Sequence, residues 1–515
     1  MSKITRRHFV GSVGAAAGVA VVGSGSASAT GSSELAFMSA TDLATRVRQK
    51  EISSVELTQY FIDRIERIDA DVNAVVVRDF DRAMSTARSA DNAQANGQAL
   101  GPFHGLPMTV KESYDIAGLP TTWGVPAFIK NIAGTDSAVV QAMKSAGATY
   151  LGKTNVPVML GDFQAYNDIY GKTSNPWDLE RVPGGSSGGS AAALAAGLTA
   201  LDCGSDIGGS IRNPASFCGV YGHKPTWGIV KSAGHSLPIM LGEPDLAVCG
   251  PMARAAEDLA QSMALVTGPD ALNAPGWRLE LPPPRSSTLR GMRIAFWPTD
   301  ANSPVDDELV ERQNELAGVL SLLGAKVSDS ARPDYPIKEA HLAYQNLVVA
   351  ITQIDVPLSD YQKNMEIANS IPSDDMSQGA VWARAAVQNH REWRKSEKMR
   401  THVRMRWQQF FQDWDIVVCP IMATTAFKHD HSPMEQRTIS VNGQQRPYWE
   451  QIFWAGLGNL GGLPGTVFPA GLSKSGMPMG FQALGAEFDD YTTIEFTRLL
   501  AREIGGFKPP PTYGR

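Results

Sequence analysis

A glycine- and serine-rich stretch from Pro183 to Pro214 constrains this chain more than any other segment. It reads PGGSSGGSAAALAAGLTALDCGSDIGGSIRNP, and its Gly-Gly-Ser elements include the two that end at Ser186 and Ser210. Glycine lets backbone N–H groups approach a ligand closely and adopts dihedral angles that other residues avoid. A helix of Ala and Leu is predicted over 190–197, with its positive N-terminus facing the Gly/Ser loop. The pattern predicts a buried helix behind a cradle for a phosphate or an oxyanion.

The cradle suits either a phosphate or a reacting acyl group. A phosphate loop carries Gly-Lys-Ser/Thr at the start of its helix, whereas this chain has Gly-Gly-Ser, which argues against nucleotide binding. Residues 184–188 also match the G-x-S-x-G nucleophile elbow, so an α/β-hydrolase-type esterase that uses Ser186 is one alternative. Such an enzyme needs an acid and a histidine further along, and none of the later histidines follows a Gly-rich strand end.

Composition describes a large globular protein. Of its 515 residues, 43% are hydrophobic and 19% are charged, which allows a sizeable buried core. The formal charge of −6 leaves no basic surface for a nucleic acid or an anionic membrane. The four cysteines form neither a C-x-x-C pair nor a cluster with histidine, so we expect free, buried thiols. The pairs His429/His431 and Asp162/Asp168 lack a helical H-E-x-x-H context, and we expect no metal site.

The first 29 residues are predicted to be a signal peptide. They contain Arg-Arg at positions 6 and 7, a mildly apolar run that continues to position 22, and Ala-Ser-Ala at 27–29. The apolar run spans about 13 residues, which is too short to cross a bilayer. We therefore expect export to the periplasm by the twin-arginine translocation machinery, cleavage near Ala29 and no stable membrane anchor. Cleavage removes three basic residues and no acidic one, which changes the formal charge from −6 to −9.

Alternating strand and helix patterns predict an α/β fold with a central mixed sheet covered by helices on both faces. A short strand is predicted over 108–110 and ends at Lys111. A βαβ unit is predicted over 292–327, with an amphipathic helix that Gly324 closes. Residues 281–289 (LPPPRSSTL) form the clearest linker. We expect one domain over 30–515, with a core at about 80–270 and an elaborated second half at about 290–515.

Six further motifs accompany the Gly/Ser core. They are GPFHGLPMTVKESYDIAGLPTT at 101–122, KTNVP at 153–157, GKTSNPW at 171–177, CGVYGHKPTWG at 218–228, GPMAR at 250–254 and GNLGGLPG at 458–465. With these motifs the chain resembles the amidase signature family, whose members hydrolyse carboxamides with a Ser–Ser–Lys triad. The resemblance covers most of the chain after residue 29 and implies the amidase-signature fold.

The resemblance assigns roles residue by residue. Lys111 matches the catalytic lysine, Ser186 matches the bridging serine that follows a cis peptide bond, and Ser210 matches the nucleophile. It implies a metal-independent hydrolase of linear amides that uses no cofactor. The backbone N–H groups implied to form the oxyanion hole are those of Ile207, Gly208, Gly209 and Ser210.

The chemistry of these residue types agrees with the implied roles. A serine hydroxyl becomes a strong nucleophile only when a base takes its proton, and lysine can be that base when burial lowers its pKa. Asp206 and Arg212 flank the nucleophile with opposite charges and are predicted to be a supporting ion pair. Four residues are predicted to line the substrate pocket: Leu160, Gly161, Trp123 and Trp454.

Two other functions stay open at this point. A periplasmic solute-binding protein is also exported and α/β, but it leaves the lysine and the two serines without a joint purpose. An amidotransferase subunit that works on charged transfer RNA fits the core but neither the signal nor the acidic charge. We expect a small-molecule amide as the substrate and no nucleic-acid partner; the acyl group and the oligomeric state stay open.

Overall fold

A large mixed sheet is the framework that positions the predicted site residues. The computed structural model describes residues 32–240 and 244–514, so the predicted signal peptide lies outside the described residues. The helices are α1 (Ser32–Phe37), α2 (Ala40–Arg48), α3 (Ser54–Val72), α4 (Phe80–Ala95), α5 (Ala138–Ser145), α6 (Gly188–Ala195), α7 (Arg212–Cys218), α8 (Ala256–Val266), α9 (Asp307–Leu322), α10 (Ile337–Thr352), α11 (Leu358–Ser370), α12 (Gln378–Ala385), α13 (His390–Asp413), α14 (Ile452–Leu460) and α15 (Asp490–Ile504). The strands are β1 (Val75–Arg78), β2 (Pro107–Lys111), β3 (Thr149–Thr154), β4 (Tyr166–Asn167), β5 (Gly171–Lys172), β6 (Asp202–Asp206), β7 (Tyr221–Lys224), β8 (Val248–Ala253), β9 (Arg293–Phe296), β10 (Lys326–Ser328), β11 (Ile416–Pro420), β12 (Thr438–Val441), β13 (Gln444–Pro447), β14 (Gly465–Leu472) and β15 (Pro478–Leu484).

Eight strands form the large sheet, in the order β10–β9–β11–β15–β14–β7–β8–β6. Strand β9 pairs in parallel with β10 and β11, and the other neighbouring strands pair antiparallel. The predicted mixed sheet is therefore confirmed. A smaller sheet, β1–β3–β2, carries Lys111 opposite Thr154 at the end of the parallel β2–β3 pair. The N–H of Thr109 donates to the carbonyl of Leu201 at 3.2 Å, which brings β2 next to the start of β6.

Helices flank the large sheet and bury the Gly/Ser segment. Every residue of α6 is buried, and this helix starts at Gly188, two residues before the predicted start. Helix α7 packs on β14 and β15, while α8 packs on β8 and α15 packs on β14. The predicted βαβ unit is present as β9–α9–β10, whose helix buries Leu309, Leu316 and Leu320.

The state of the cysteines and the apolar length of the helices are visible in the described residues. All four cysteines are free and buried, as predicted. In residues 32–240 and 244–514, no helix combines the length and the apolar character that a membrane crossing requires.

Candidate active site

Lys111, the last residue of β2, points its amine at two serine hydroxyls. Its Nζ donates to Ser186 Oγ at 2.7 Å and to Ser205 Oγ at 2.9 Å. Lys111 is 0% exposed and Ser186 is 1% exposed, so water does not compete for these contacts. Strand β2 supplies the lysine, the loop before α6 supplies Ser186, and β6 supplies Ser205. The structure thus brings together Lys111 and Ser186, two of the three residues that the resemblance assigns to the triad. It also adds the hydroxyl of Ser205, which is a third serine beside Ser186 and Ser210 in this region.

The protonation of Lys111 follows from this burial. Removal from water lowers the pKa of its ammonium group to about 7, although Cys249 and the carboxylates of Asp206 and Asp202 oppose the shift. At neutral pH a large fraction of the amine is therefore unprotonated. An unprotonated lysine has a lone pair and can accept a proton, which a solvated lysine at this pH cannot do.

Ser186 lies in the loop before α6, which packs against the backbone of residues 162–164. The peptide bond between Gly185 and Ser186 is cis. A Cβ atom on Gly185 would lie 2.3 Å from the carbonyl oxygens of Asp162 and Gln164, so only glycine fits there. The loop therefore approaches the 162–164 segment more closely than a side chain at position 185 would permit, and this contact fixes the position of Ser186.

Ser210 follows β6 and is more accessible than the other two residues of the predicted triad. It is 9% exposed, and its carbonyl accepts the N–H of Ser187 at 3.1 Å. The N–H of Gly185 donates to Asn213 Oδ1 at 3.3 Å, which is a second link between the Ser186 loop and the segment around Ser210. The backbone thus places Ser210 beside the Ser186 loop, on the side of the site that is nearer to solvent.

Asp206 and Arg212 form the predicted ion pair, and both are fully buried. Arg212 Nη2 donates to Asp206 Oδ1 at 2.9 Å and Nε donates to Asp206 Oδ2 at 3.0 Å. Burial opposes the charge of Asp206, but the adjacent guanidinium holds the pKa of this carboxyl well below its usual range. Arg212 also donates to Gln482 Oε1 at 2.7 Å and to Asn459 Oδ1. The pair therefore ties the loop after β6 to β15 and α14.

The predicted oxyanion donors separate into two groups. The N–H of Gly209 donates to Asp206 Oδ1 at 2.9 Å, so it holds the loop and is not free for a ligand. This contact corrects the prediction for Gly209, because one donor cannot point at both the carboxylate and the substrate. Across the described ranges, the N–H groups of Ile207, Gly208 and Ser210 have no protein acceptor. Three of the four predicted donors are thus available.

The predicted pocket residues occupy different environments. Trp123 has a left-handed backbone (φ 51°), donates its N–H to Glu112 Oε2 at 2.9 Å and is nearly buried. Leu160 also has a positive φ (57°) and is half-buried, and Gly161 beside it is exposed. Trp454 is 0% exposed and packs edge-on against Trp297, which is a core position and corrects its prediction as a pocket wall.

A metal site and a G-x-S-x-G hydrolase site are the alternatives for this region. Within 32–240 and 244–514, no three His, Cys, Asp or Glu side chains are grouped so that they could hold a metal ion. The Ser186 hydroxyl contacts Lys111, and no histidine is its hydrogen-bond partner among the described residues. The geometry therefore favours lysine over histidine as the base for Ser186.

Comparison with known proteins identifies the family. A family model described as Amidase matches residues 56–494. The chain belongs to the amidase signature family. It is 31% identical over 486 residues to a glutamyl-tRNA(Gln) amidotransferase subunit of Moorella thermoacetica, covering 90% of this chain and 96% of that protein. It is 30% identical over 512 residues to fatty-acid amide hydrolase 2 of Homo sapiens, covering 92% and 91%.

A solved structure supports the same conclusion at the level of the fold. The crystal structure of a bacterial aryl acylamidase of the amidase signature family matches with a TM-score of 0.77 and 26% identity, over 93% of this chain and 98% of that chain. The predicted amidase-signature fold is therefore confirmed. The family supports amide C–N bond hydrolysis as the chemistry of this amidase.

Sequence reasoning missed two side chains close to Lys111. Ser205 contacts Nζ, and His235 contacts Ser113 Oγ through its Nε2 at 2.9 Å. Burial lowers the pKa of His235 to about 3, so this histidine is neutral and adds no charge near the lysine. Ser205 lies within the Gly/Ser segment, one residue before Asp206, and the alternation of side chains along a strand separates it from its neighbours. No motif marks His235.

Replacing Ser205 with alanine tests the third hydroxyl of this amidase. The change removes one of two partners of Nζ, and a hydrogen bond to a charged group contributes about 1.5–3 kcal/mol. We expect kcat to fall roughly 10- to 100-fold. The pKa on the acidic limb of the kcat/KM profile should also move down, because the ammonium form loses an acceptor. Rate–pH profiles of wild type and variant measure both effects. Ser262→Ala is the control, since its Oγ donates to the carbonyl of Asp258 within α8; an unchanged profile for Ser205→Ala would contradict this role.

Proposed function

We propose that this amidase hydrolyses the C–N bond of a small-molecule carboxamide through an acyl-enzyme on Ser210, after export to the periplasm. The observation that carries the proposal is the contact between the buried Lys111 Nζ and Ser186 Oγ at 2.7 Å. A lysine with a pKa near 7, linked to one serine beside a second serine in a glycine loop, is a base with a path to a nucleophile. The family membership supports the same chemistry.

Acylation moves one proton along this path. Ser210 Oγ attacks the amide carbonyl carbon, its proton passes to Ser186 Oγ, and the Ser186 proton passes to neutral Lys111 Nζ. The carbonyl oxygen becomes an oxyanion, which the N–H groups of Ile207, Gly208 and Ser210 stabilise. A donor of this kind contributes about 2.7–4 kcal/mol to the transition state.

Collapse of the tetrahedral intermediate breaks the C–N bond. The leaving nitrogen takes a proton from the Lys111 ammonium through Ser186, and the neutral amine or ammonia departs. Water then attacks the acyl carbon while Lys111 takes a proton from it through the same path. The ester bond to Ser210 Oγ breaks, the carboxylic acid departs, and Ser210 Oγ recovers a proton from the Lys111 ammonium through Ser186. Every proton taken by the lysine is returned within one turnover, so the cycle uses no external acid or base.

A panel of p-nitroanilides and primary amides, with glutamine included, tests the proposal in the presence of EDTA. Expected results are hydrolysis by the wild type that EDTA does not change, and labelling of Ser210 by a fluorophosphonate probe. The wild type hydrolysing glutamine alone would favour an amidotransferase-type role, as the name of the Moorella thermoacetica relative suggests. A folded protein that neither labels nor hydrolyses any member would instead favour the solute-binding alternative.

Export rests on the sequence of the first 29 residues and has its own test. The full chain and an Arg6→Lys, Arg7→Lys double variant are expressed in a bacterium with a twin-arginine system. We expect the unaltered chain in the periplasmic fraction with Thr30 at its N-terminus, and the double variant uncleaved in the cytoplasm. The same distribution for both chains would overturn the export proposal without affecting the hydrolase proposal.

A further inference from the structure

Tyr344, in the middle of α10, reaches the loop that carries the oxyanion donors. Its hydroxyl donates to the carbonyl of Ile207 at 2.7 Å, across a separation of 137 residues. The tyrosine side chain is fully buried, whereas Ile207 is half-buried. A buried residue of the helical second half of the chain therefore contacts the backbone three residues before Ser210 directly.

The planar peptide bond converts this contact into an orientation. In a trans peptide, the C=O of Ile207 and the N–H of Gly208 lie in one plane and point in opposite directions. Fixing the carbonyl on Tyr344 therefore fixes the direction of the Gly208 N–H. That N–H has no protein acceptor among the described residues, so it is free to donate to a ligand.

We propose that Tyr344 is a positioning residue that aims the Gly208 N–H at the oxyanion of the reaction. This inference rests on the proposed function, because it requires an oxyanion beside Ser210. Tyr344 itself does not touch the substrate; it acts through the peptide between Ile207 and Gly208. Preorganised donors are effective because they need no reorientation when the charge develops.

Close packing around Tyr344 restricts the position of its ring. A Cβ atom on Gly456 of α14 would lie 2.6 Å from Tyr344 Cδ1, so the ring rests directly on the helix backbone. At the loop end, the Tyr344 hydroxyl lies 3.8 Å and Ile452 Cδ1 3.5 Å from the site of a Cβ on Gly208. The N–H of Gly209, the residue after Gly208, donates to Asp206 Oδ1. The Gly208 peptide is thus held on both sides by buried groups.

The hydroxyl stays a donor throughout the working pH range. Burial raises the pKa of Tyr344 far above its usual value of 10, so the proton that bonds the Ile207 carbonyl is not lost. The orienting contact is therefore independent of the titration of Lys111, and its removal should lower the rate by the same factor at every pH.

Tyr344→Phe tests the proposal, because it deletes the hydroxyl and keeps the ring. We expect kcat for the best p-nitroanilide of the panel to fall roughly tenfold while KM stays within twofold, since the lost contact acts on the transition state. The second-order rate of fluorophosphonate labelling should fall by the same factor, because the phosphonyl oxygen occupies the same donors. Tyr150→Phe is the matched control: it is also buried, and its hydroxyl has no partner among the described residues.

The outcomes separate this inference from the function on which it rests. If the wild type neither labels nor hydrolyses, the proposed function fails and Tyr344 is not at issue. If the wild type is active and Tyr344→Phe keeps both rates within twofold, the positioning role is wrong. A merely structural role would lower the melting temperature without the matched loss of kcat and labelling rate. Should the Phe variant not fold, Gly456→Ala displaces the ring and decides by the same two rates.

Discussion

Ser210→Ala is expected to lower kcat/KM for the best amide of the panel by roughly 10⁴-fold or more, the scale on which a serine nucleophile is lost elsewhere. Alanine removes the atom that forms the acyl-enzyme, while the Lys111–Ser186 contact and the three free N–H donors stay in place. Fluorophosphonate labelling should disappear completely. Steady-state hydrolysis and intact-mass measurement of the labelled protein determine both effects.

Ser216→Ala is the matched control for this variant. Ser216 is a buried serine in α7, six residues after Ser210, and its Oγ donates to the carbonyl of Gly480 at 3.1 Å. We expect it to lose about 1 kcal/mol of stability and to keep normal kcat/KM. If Ser210→Ala retained activity and Ser186→Ala abolished both activity and labelling, the nucleophile would be Ser186 in the G-x-S-x-G element, and the acyl-enzyme on Ser210 would be wrong.

Local elements of the fold are predictable from the sequence because they depend on short-range patterns. The strand before Lys111 and the unit β9–α9–β10 follow from apolar alternation, helical spacing and a closing glycine. The order of the large sheet does not follow in this way. Strand β15 pairs with the distant β11 as well as with its neighbour β14, and β8 pairs with β6 across the intervening α7 and β7, so the pairings β11–β15 and β6–β8 join segments that other elements separate. Non-local pairing depends on side-chain packing that no window of sequence contains.

The site residues also fall into those that local sequence patterns mark and those that non-local contacts place. Lys111, Ser186 and Ser210 are identifiable because each lies in a motif, and the Asp206–Arg212 pair because opposite charges flank the loop. Contacts made by single residues from elsewhere carry no such signal. Tyr344 is one among 12 tyrosines until α10 places it on Ile207.

Two corrections have the same physical origin. Gly209 lies in the glycine run that suggests a donor, yet the position of Asp206 determines that its N–H is already bonded. Trp454 lies near a family motif, yet its packing against Trp297 places it in the core. In both cases the residue type suits the predicted role, and a three-dimensional contact with another side chain decides the actual one.

Lys111→Met is expected to lower kcat by roughly 10²–10⁴-fold, the contribution of a positioned general base. Wild-type kcat/KM should rise with pH and level off above an apparent pKa of about 7, because only the neutral amine accepts the proton. The residual activity of the variant should lack this limb. Rate–pH profiles from pH 5 to 9 measure both features.

Two other buried lysines make this assignment testable. Burial lowers the pKa of Lys224 to about 7 and that of Lys153 to about 8, but neither amine contacts a serine of the predicted triad. Lys224→Met should therefore keep the limb near pH 7. If the limb disappeared from Lys224→Met and persisted in Lys111→Met, the base would not be Lys111.

Lys111→Met should also stabilise the fold at neutral pH. The pKa of Lys111 is near 7 in the folded protein and near 10.5 when solvated, so between these values the unfolded chain binds more protons. Wild-type stability from this residue therefore rises with pH across that window. At pH 7 the methionine variant avoids the penalty, and since each pKa unit corresponds to about 1.4 kcal/mol, we expect a gain of a few kcal/mol in the free energy of unfolding. Urea unfolding at pH 7 and pH 10 should show the gain and its decline at higher pH. A variant that is more stable but less active would identify Lys111 as a lysine whose burial destabilises the fold and which the reaction needs, as expected of a catalytic base. A variant that is both less active and less stable would indicate a structural lysine.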